Sequence, residues 1–264
     1  MPTNNSKTAK IISVTNQKGG VGKTTTTINL AAALSELEKK VLIIDLDPQG
    51  NASTGLGVEV GDRELSTYEF LVEGVPLEKV AMETEISGLS IVPATIDLSS
   101  ADIDLISNEK RSHLLHEALR KKQENKQKYD YILIDCPPSL NILTVNAMVA
   151  SHSVLIPLQS EFFALEGLSQ LLLTVKEVRQ TANENLRVEG IVLTMFDGRN
   201  NLSKQVEADA RSNLRDLVFK TIIPRNVRVS EAPSYSMPVL TYDPSSKGSK
   251  AYMSLAKELL ANNS

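Results

Sequence analysis

Cysteine is almost absent from this sequence: Cys136 is the only one in 264 residues. No intrachain disulfide can form, and a metal site built mainly of thiolates is excluded, which fits a reducing compartment. No run approaches the roughly 20 consecutive apolar residues that span a bilayer. Met1 to Lys10 is polar, without the apolar core of a secretion signal, so a cytoplasmic protein is expected. A Ser/Gly/Pro-rich linker and an internal repeat are missing too. Excess positive charge is also lacking. The formal net charge is −4, which speaks against nucleic acid unless a local patch hides inside the average.

What is present is an ordinary globular mixture, 41% hydrophobic and 23% charged, enough to bury a core. A polar tail over 1–9 and one domain over 10–264 are expected. Short β-rich apolar runs recur at Ile11 to Val14, Val41 to Leu46, Leu89 to Val92, Tyr131 to Ile134, Val154 to Leu158, Ile191 to Leu193 and Val218 to Ile223. Segments with helical spacing lie between most of them, such as Thr25 to Leu37, Leu165 to Val178 and Leu202 to Leu217. This alternation predicts an α/β fold: a single doubly wound, mainly parallel sheet with helices on both faces. Such sheets bind ligands beyond the carboxyl ends of their strands. Two other features read as surface. The polar run Arg120 to Lys128 is a solvated helix end, and His113 and His116, three apart, have no third ligand in view for a metal.

After the first strand comes Asn16-Gln17-Lys18-Gly19-Gly20-Val21-Gly22-Lys23-Thr24-Thr25, leading straight into a helix. Glycines at 19, 20 and 22 let backbone N–H groups converge on an anion, and the helix N-terminus adds its positive dipole end. Gly19 to Thr25, Val21 included, is thus a candidate phosphate cradle. Lys23 would reach the β- and γ-phosphates of a nucleotide, Thr24 would complete a magnesium shell, and Thr25 would donate near the α-phosphate. The second strand ends in Asp45-Leu46-Asp47-Pro48-Gln49-Gly50-Asn51. Strand alternation would send Asp45 and Asp47 to one side, Asp47 to orient a water and Asp45 to support the metal shell. Tyr131 to Asp135 followed by Cys136-Pro137-Pro138 reads as a buried strand whose terminal Asp135 faces the magnesium waters. Cys136 is read as small and buried.

The usual phosphate loop has glycine at the position of Gln17, and here a second lysine follows it. KGGVGKTT resembles the deviant Walker A motif of the ParA/MinD group of ATPases, in which the early lysine crosses a dimer interface to the partner's nucleotide. The resemblance makes Lys18 that lysine. It also matches Asp47 in DLDPQGN to the family's hydrolytic aspartate, and Asp135 to Walker B. The nitrogenase iron proteins share the deviant loop but need two cluster-ligating cysteines, which this chain lacks. Ile223 to Pro233, IPRNVRVSEAP, closely resembles a segment of the chromosomal ParA (Soj) proteins that packs around adenine. This implies Pro224 and Asn226 as base-site residues.

Between Arg199 and Arg228 stand seven basic residues against three acidic ones. At 100° per residue Lys204, Arg211 and Arg215 fall within roughly 40° of one another, with Leu202, Val206, Leu214 and Leu217 opposite. That helix carries no aromatic residue for stacking bases, which leaves sequence-independent contact with duplex phosphates. By resemblance, Arg199 and Arg228 match DNA-contacting arginines. The family then implies a weak ATPase using ATP and Mg²⁺. It would form a homodimer when ATP-bound, bind non-specific double-stranded DNA on the nucleoid, and be stimulated by a ParB-type centromere-binding protein, with no membrane partner. Two rivals are a MinD-like membrane-associated positioning ATPase and a small-molecule ligase of the same fold. The first needs a basic amphipathic C-terminal helix, and the tail Tyr252 to Ser264 reads as a packing helix instead.

Overall fold

All seven apolar runs form strands, and the inner ones are buried on both sides, whereas the edge run Val218 to Ile223 exposes Lys220. Every residue of Val41–Asp45 and Tyr131–Asp135 is shielded from solvent, the condition that removes alternation from a parallel sheet. The computed structural model describes residues 8–101, 108, 110–120, 128–161 and 164–263. Most of the polar run between Arg120 and Lys128 and all but the end of the N-terminal tail lie outside them.

The strands are β1 (Lys10–Val14), β2 (Val41–Asp45), β3 (Met82–Glu83), β4 (Leu89–Val92), β5 (Tyr131–Asp135), β6 (Ser153–Gln159), β7 (Arg187–Phe196) and β8 (Val218–Pro224). They form one sheet in the order β3-β4-β2-β5-β1-β6-β7-β8. Among the described residues only the β3–β4 pair is antiparallel. The chain steps outward from β1 to β2 on one side and from β6 to β8 on the other, so the order reverses at β1, where such sheets open a crevice for ligands. β3 escapes a reading by periodicity because two residues define no period.

Among the described residues the α-helices are α1 (Lys23–Glu36), α2 (Asn51–Gly55), α3 (Leu77–Val80), α4 (Leu114–Arg120), α5 (Ile142–Ala150), α6 (Ala164–Thr181), α7 (Asn201–Leu214), α8 (Val227–Glu231), α9 (Val239–Tyr242) and α10 (Lys247–Asn262). Residues alternate between two cores. Ile12, Val14 and Ile43 pack with α1 and α10 on one face. Leu42, Ile44 and Ile132 pack with α4 and α5 on the other, and Ile156 and Leu193 with α6 and α7. α10 spends its apolar stripe here: Tyr252, Leu255, Ala256 and Leu259 are all buried. Just beyond it, Asn263 donates to Glu189, which is also paired with Lys10 at 2.7 Å. Among the described residues no helix is long and apolar enough to cross a membrane.

The basic helix is shorter than its spacing suggests. α7 stops at Leu214, where Arg215 takes φ +40 and a 3₁₀ turn runs to Leu217. Leu217, expected in the core, is 37% exposed, because the helical projection no longer applies past residue 214. The edge strand β8 is sealed rather than left open. The Glu258 carboxylate accepts the N–H groups of Lys220 and Thr221 (2.7 and 2.9 Å), and Arg211 donates to the carbonyls of Phe219 and Lys220.

Candidate active site

The loop after β1 enters α1 through Gly22, whose φ of +85 lies in the left-handed region that a side chain resists. No side chain caps α1 and its first turn holds no acid, so its first N–H groups remain available to an anion. Lys23 is buried. Its Nζ donates to the Lys18 carbonyl at 3.1 Å and has no carboxylate within ion-pair range among the described residues. Burial lowers its pKa, opposed by Asp135, Cys136 and Asp47. Lys18 is exposed and pairs with Glu161 at 2.5 Å, both side chains nearly half accessible. A pair so exposed holds little, leaving Lys18 free to be drawn elsewhere. Val21 is buried, while Gly19 and Gly20 face solvent.

The carboxylates divide. Asp135 ends β5, fully buried, with Oδ1 accepting from the Thr27 hydroxyl at 2.9 Å and Oδ2 without any hydrogen-bond partner among the described residues. Burial, then the charge of Asp45, raises its pKa, against the Thr24 and Thr27 hydroxyls. An orphaned buried oxygen is costly unless a ligand satisfies it. Asp45 is raised as well, first by burial, but both its oxygens are occupied. Oδ2 accepts from the Ser53 N–H and hydroxyl (2.9 and 2.7 Å) and Oδ1 from the Asp47 N–H (3.2 Å). β2 stops at Asp45, so strand alternation does not reach Asp47, which sits in the following turn. Its Oδ1 accepts from Gln49 N–H at 3.0 Å and its carbonyl from Gly50 N–H at 2.8 Å. Cys136 is fully buried, its thiol pushed far up by burial.

Several residues that position the loop carry no sequence pattern of their own. The Thr194 hydroxyl at the end of β7 donates to the Val21 carbonyl at 2.8 Å, and Asn16 bridges Lys18 N–H and the Pro157 carbonyl. Asn29 of α1 binds Val239 N–H at 2.7 Å, tying the phosphate helix to the chain beyond the Pro224–Asn226 segment. Asn226 caps α8 by accepting from Arg228 N–H, and Pro224 ends β8. The bonds from Thr194 to Val21, from Asn16 to Pro157 and from Val239 to Asn29 each join residues more than a hundred positions apart, which is why only the fold reveals them.

The basic residues are not one stripe. Arg211 is partly buried, paired with Glu207 at 2.9 Å and committed to the β8 edge. Arg199 is 91% exposed and pairs with Asp197 at 2.8 Å. Arg228 is held by Glu231 (3.0 Å) and Asp243 (3.3 Å). Lys204 and Arg215 are exposed without an ion pair among the described residues.

A buried strand running through a glycine loop into an uncapped helix at the reversal of strand order, flanked by strand-end carboxylates, defines a P-loop nucleotide-binding fold. A family model described as an AAA domain matches residues 9–188. The chain is 52% identical to the sporulation initiation inhibitor protein Soj of Bacillus subtilis, over 96% of this chain and 99% of that one. It is 51% identical to the chromosome partitioning protein ParA of Caulobacter vibrioides, over 96% and 94%. Among solved structures, Mycobacterium smegmatis cobyrinic acid a,c-diamide synthase with bound ADP and magnesium superposes with a TM-score of 0.82 at 36% identity, covering 96% and 94%. The Pyrococcus furiosus cell division ATPase MinD superposes with a TM-score of 0.79 at 28% identity, over 96% and 99%. The chain belongs to the ParA/Soj family of partitioning ATPases.

Proposed function

We propose that the chain hydrolyses ATP and uses the nucleotide as a switch for holding DNA during chromosome or plasmid segregation. Gly19 to Thr25 would receive the phosphates, Lys23 neutralising the β- and γ-groups. Thr24 and Asp135 would hold magnesium, which supplies charge neutralisation on the phosphates. Asp45 supports that shell at one remove, since its oxygens brace the loop that carries Asp47. Asp47 orients the attacking water, and Pro224 and Asn226 border the base. The observation that carries this reading is the pairing of an uncapped helix start with the buried, unpartnered Oδ2 of Asp135: a cationic cradle and a vacant acceptor that a magnesium–triphosphate would both satisfy.

Two subunits would close over two nucleotides, each contributing Lys18 to the other. Lys204, Arg215 and Arg199 would meet duplex phosphates, with Arg228 and Arg211 contributing from their carboxylate-bound positions. Dimerisation doubles the surface and adds avidity. A ParB-type partner would speed hydrolysis and release. Lys18→Ala should bind ATP yet lose most of its ATP-dependent dimer in sedimentation velocity; an undiminished dimer fraction would remove Lys18 from the interface. The central test is a DNA shift assay with ATP, ADP and a nonhydrolysable analogue. Retardation is expected with ATP and the analogue and should fall at least about tenfold with ADP, as a coupling of 1–3 kcal/mol allows. Equal retardation in all three would defeat the switch.

The membrane reading has less support, because α10 already buries its apolar stripe against α1 and β8; liposome flotation distinguishes it. The likeness to the diamide synthase favours a second reading, ATP-driven activation of a small carboxylate. Phosphate release stimulated by DNA, with no metabolite present, separates the two.

A further inference from the structure

Arg63 is one of the most deeply placed charges in the molecule, 8% exposed. Its guanidinium faces no carboxylate within ion-pair range among the described residues. Instead Nε and Nη2 donate to the Val58 carbonyl (3.2 and 2.7 Å), Nη1 to the Ala94 carbonyl (3.0 Å) and Nη2 to the Thr54 hydroxyl (2.8 Å). Burying a cation against neutral acceptors is costly and needs a compensating role.

The acceptors show what is being held. Thr54 lies in α2 and Val58 just after it, directly downstream of the turn that carries Asp47. Ala94 follows β4, and its N–H donates to the Ser53 hydroxyl at 3.0 Å. Ser53 in turn grips Asp45. Arg63, Ala94, Ser53 and Asp45 therefore form a continuous hydrogen-bonded brace around the loop from 45 to 58. The guanidinium also fills the space beside Gly50, where any Cβ would collide with it. Gly50 has φ +62 and its N–H closes the Asp47 turn. The planar fork of arginine can reach three acceptors in different directions; a lysine ammonium cannot span them.

We propose that Arg63 is a positioning residue for hydrolysis: by locking α2 and packing on Gly50, it sets where the Asp47 carboxylate stands. This rests on Asp47 being the water-orienting group. A brace of this kind acts on the rate of hydrolysis and leaves nucleotide binding alone, because the phosphate cradle is built from β1, α1 and β7 and does not include it.

The test measures single-turnover phosphate release, affinity for a fluorescent ATP analogue, and Tm for Arg63→Ala, Arg63→Lys and Thr54→Val beside Asp47→Ala. Arg63→Ala should slow phosphate release roughly 10- to 100-fold, the scale of a small misplacement of a reacting group, with ATP affinity within about threefold of the parent. Free guanidinium at millimolar concentration should restore part of the rate in Arg63→Ala and none in Asp47→Ala. Arg63→Lys should fall between. A parental rate in folded Arg63→Ala overturns the proposal. So does a loss of rate, affinity and Tm in step with no guanidinium rescue, which marks a purely structural role. Should Arg63→Ala fail to fold, Thr54→Val decides. Removing one bond should slow release by roughly threefold, and an unchanged rate overturns the brace. If Asp47→Ala itself turns over normally, the reading of Asp47 falls and this inference with it; a dead Asp47→Ala beside a normal Arg63→Ala removes the inference alone.

Discussion

Asp47→Ala should slow phosphate release by roughly 10²–10⁴-fold, the range a positioned general base supplies, while ATP still binds and the DNA-bound dimer persists. The structure explains why the fold should survive. Asp47 is buried in a turn whose closing bond, Gly50 N–H to the Asp47 carbonyl at 2.8 Å, belongs to the main chain. Alanine removes only the carboxylate and its 3.0 Å bond from Gln49. The phosphate cradle is untouched, because Lys23 and the start of α1 are held by Lys18 and Thr194 through other contacts. A colorimetric phosphate assay and a DNA-retention measurement by fluorescence anisotropy report the two halves of the expectation. Normal turnover would show that another group handles the water. Loss of ATP binding would show that Asp47 belongs to the cradle instead.

Asp135→Asn should abolish hydrolysis and, at the same time, make the protein more stable at alkaline pH. Asp135 is fully buried and its pKa is pushed up to about 8, mainly by burial and then by the Asp45 charge. Its folded value thus exceeds the ordinary 3.8. Between those two values the folded state holds more protons than the unfolded one, so this residue's contribution to stability falls as pH rises from about 4 to about 8. Asparagine carries no charge to desolvate and removes that fall, although its amide leaves a polar group unpaired where Oδ2 stands now. A net gain of roughly 2 kcal/mol at pH 8, on the order of 5 °C in Tm for a chain this long, is expected, shrinking towards zero near pH 4. Melting curves across that pH range provide the measurement. Parallel curves for the two proteins would mean that Asp135 is not a strained, ligand-awaiting acid. A site that is destabilised until its ligand arrives is a common way for function to be held at the cost of stability.

Much of the fold is legible in the sequence alone. The inner runs are strands because a strand covered on both faces is largely apolar, and the phosphate loop is recognisable because its glycines, lysine and threonines are contiguous. The basic region was legible only in part. Composition reveals the excess of cations between Arg199 and Arg228 but not their partners. Arg211 proved committed to the β8 edge, Arg199 to Asp197, and Arg228 to Glu231 and Asp243. The helical projection failed at Arg215 for a local reason: a residue at φ +40 ends the helix that the projection assumed. Alternation places Asp45 and Asp47 on one side, yet β2 stops at Asp45, Asp47 falls in the turn beyond, and Asp45 gives Oδ2 to Ser53, eight residues on, and Oδ1 to the Asp47 N–H.

Local order in the chain determined the αβ alternation, the cradle and the buried strand ends, since each depends on neighbours within about ten residues. Arg63 bonded to Ala94, Thr194 to Val21, Asn29 to Val239 and Lys10 to Glu189 were decided only when the sheet was assembled. These pairs are separated by 31 to 210 residues, and no periodicity encodes a contact whose geometry depends on which strands become neighbours. A residue's chemistry is written in the sequence, whereas the acceptor it will face is created by packing.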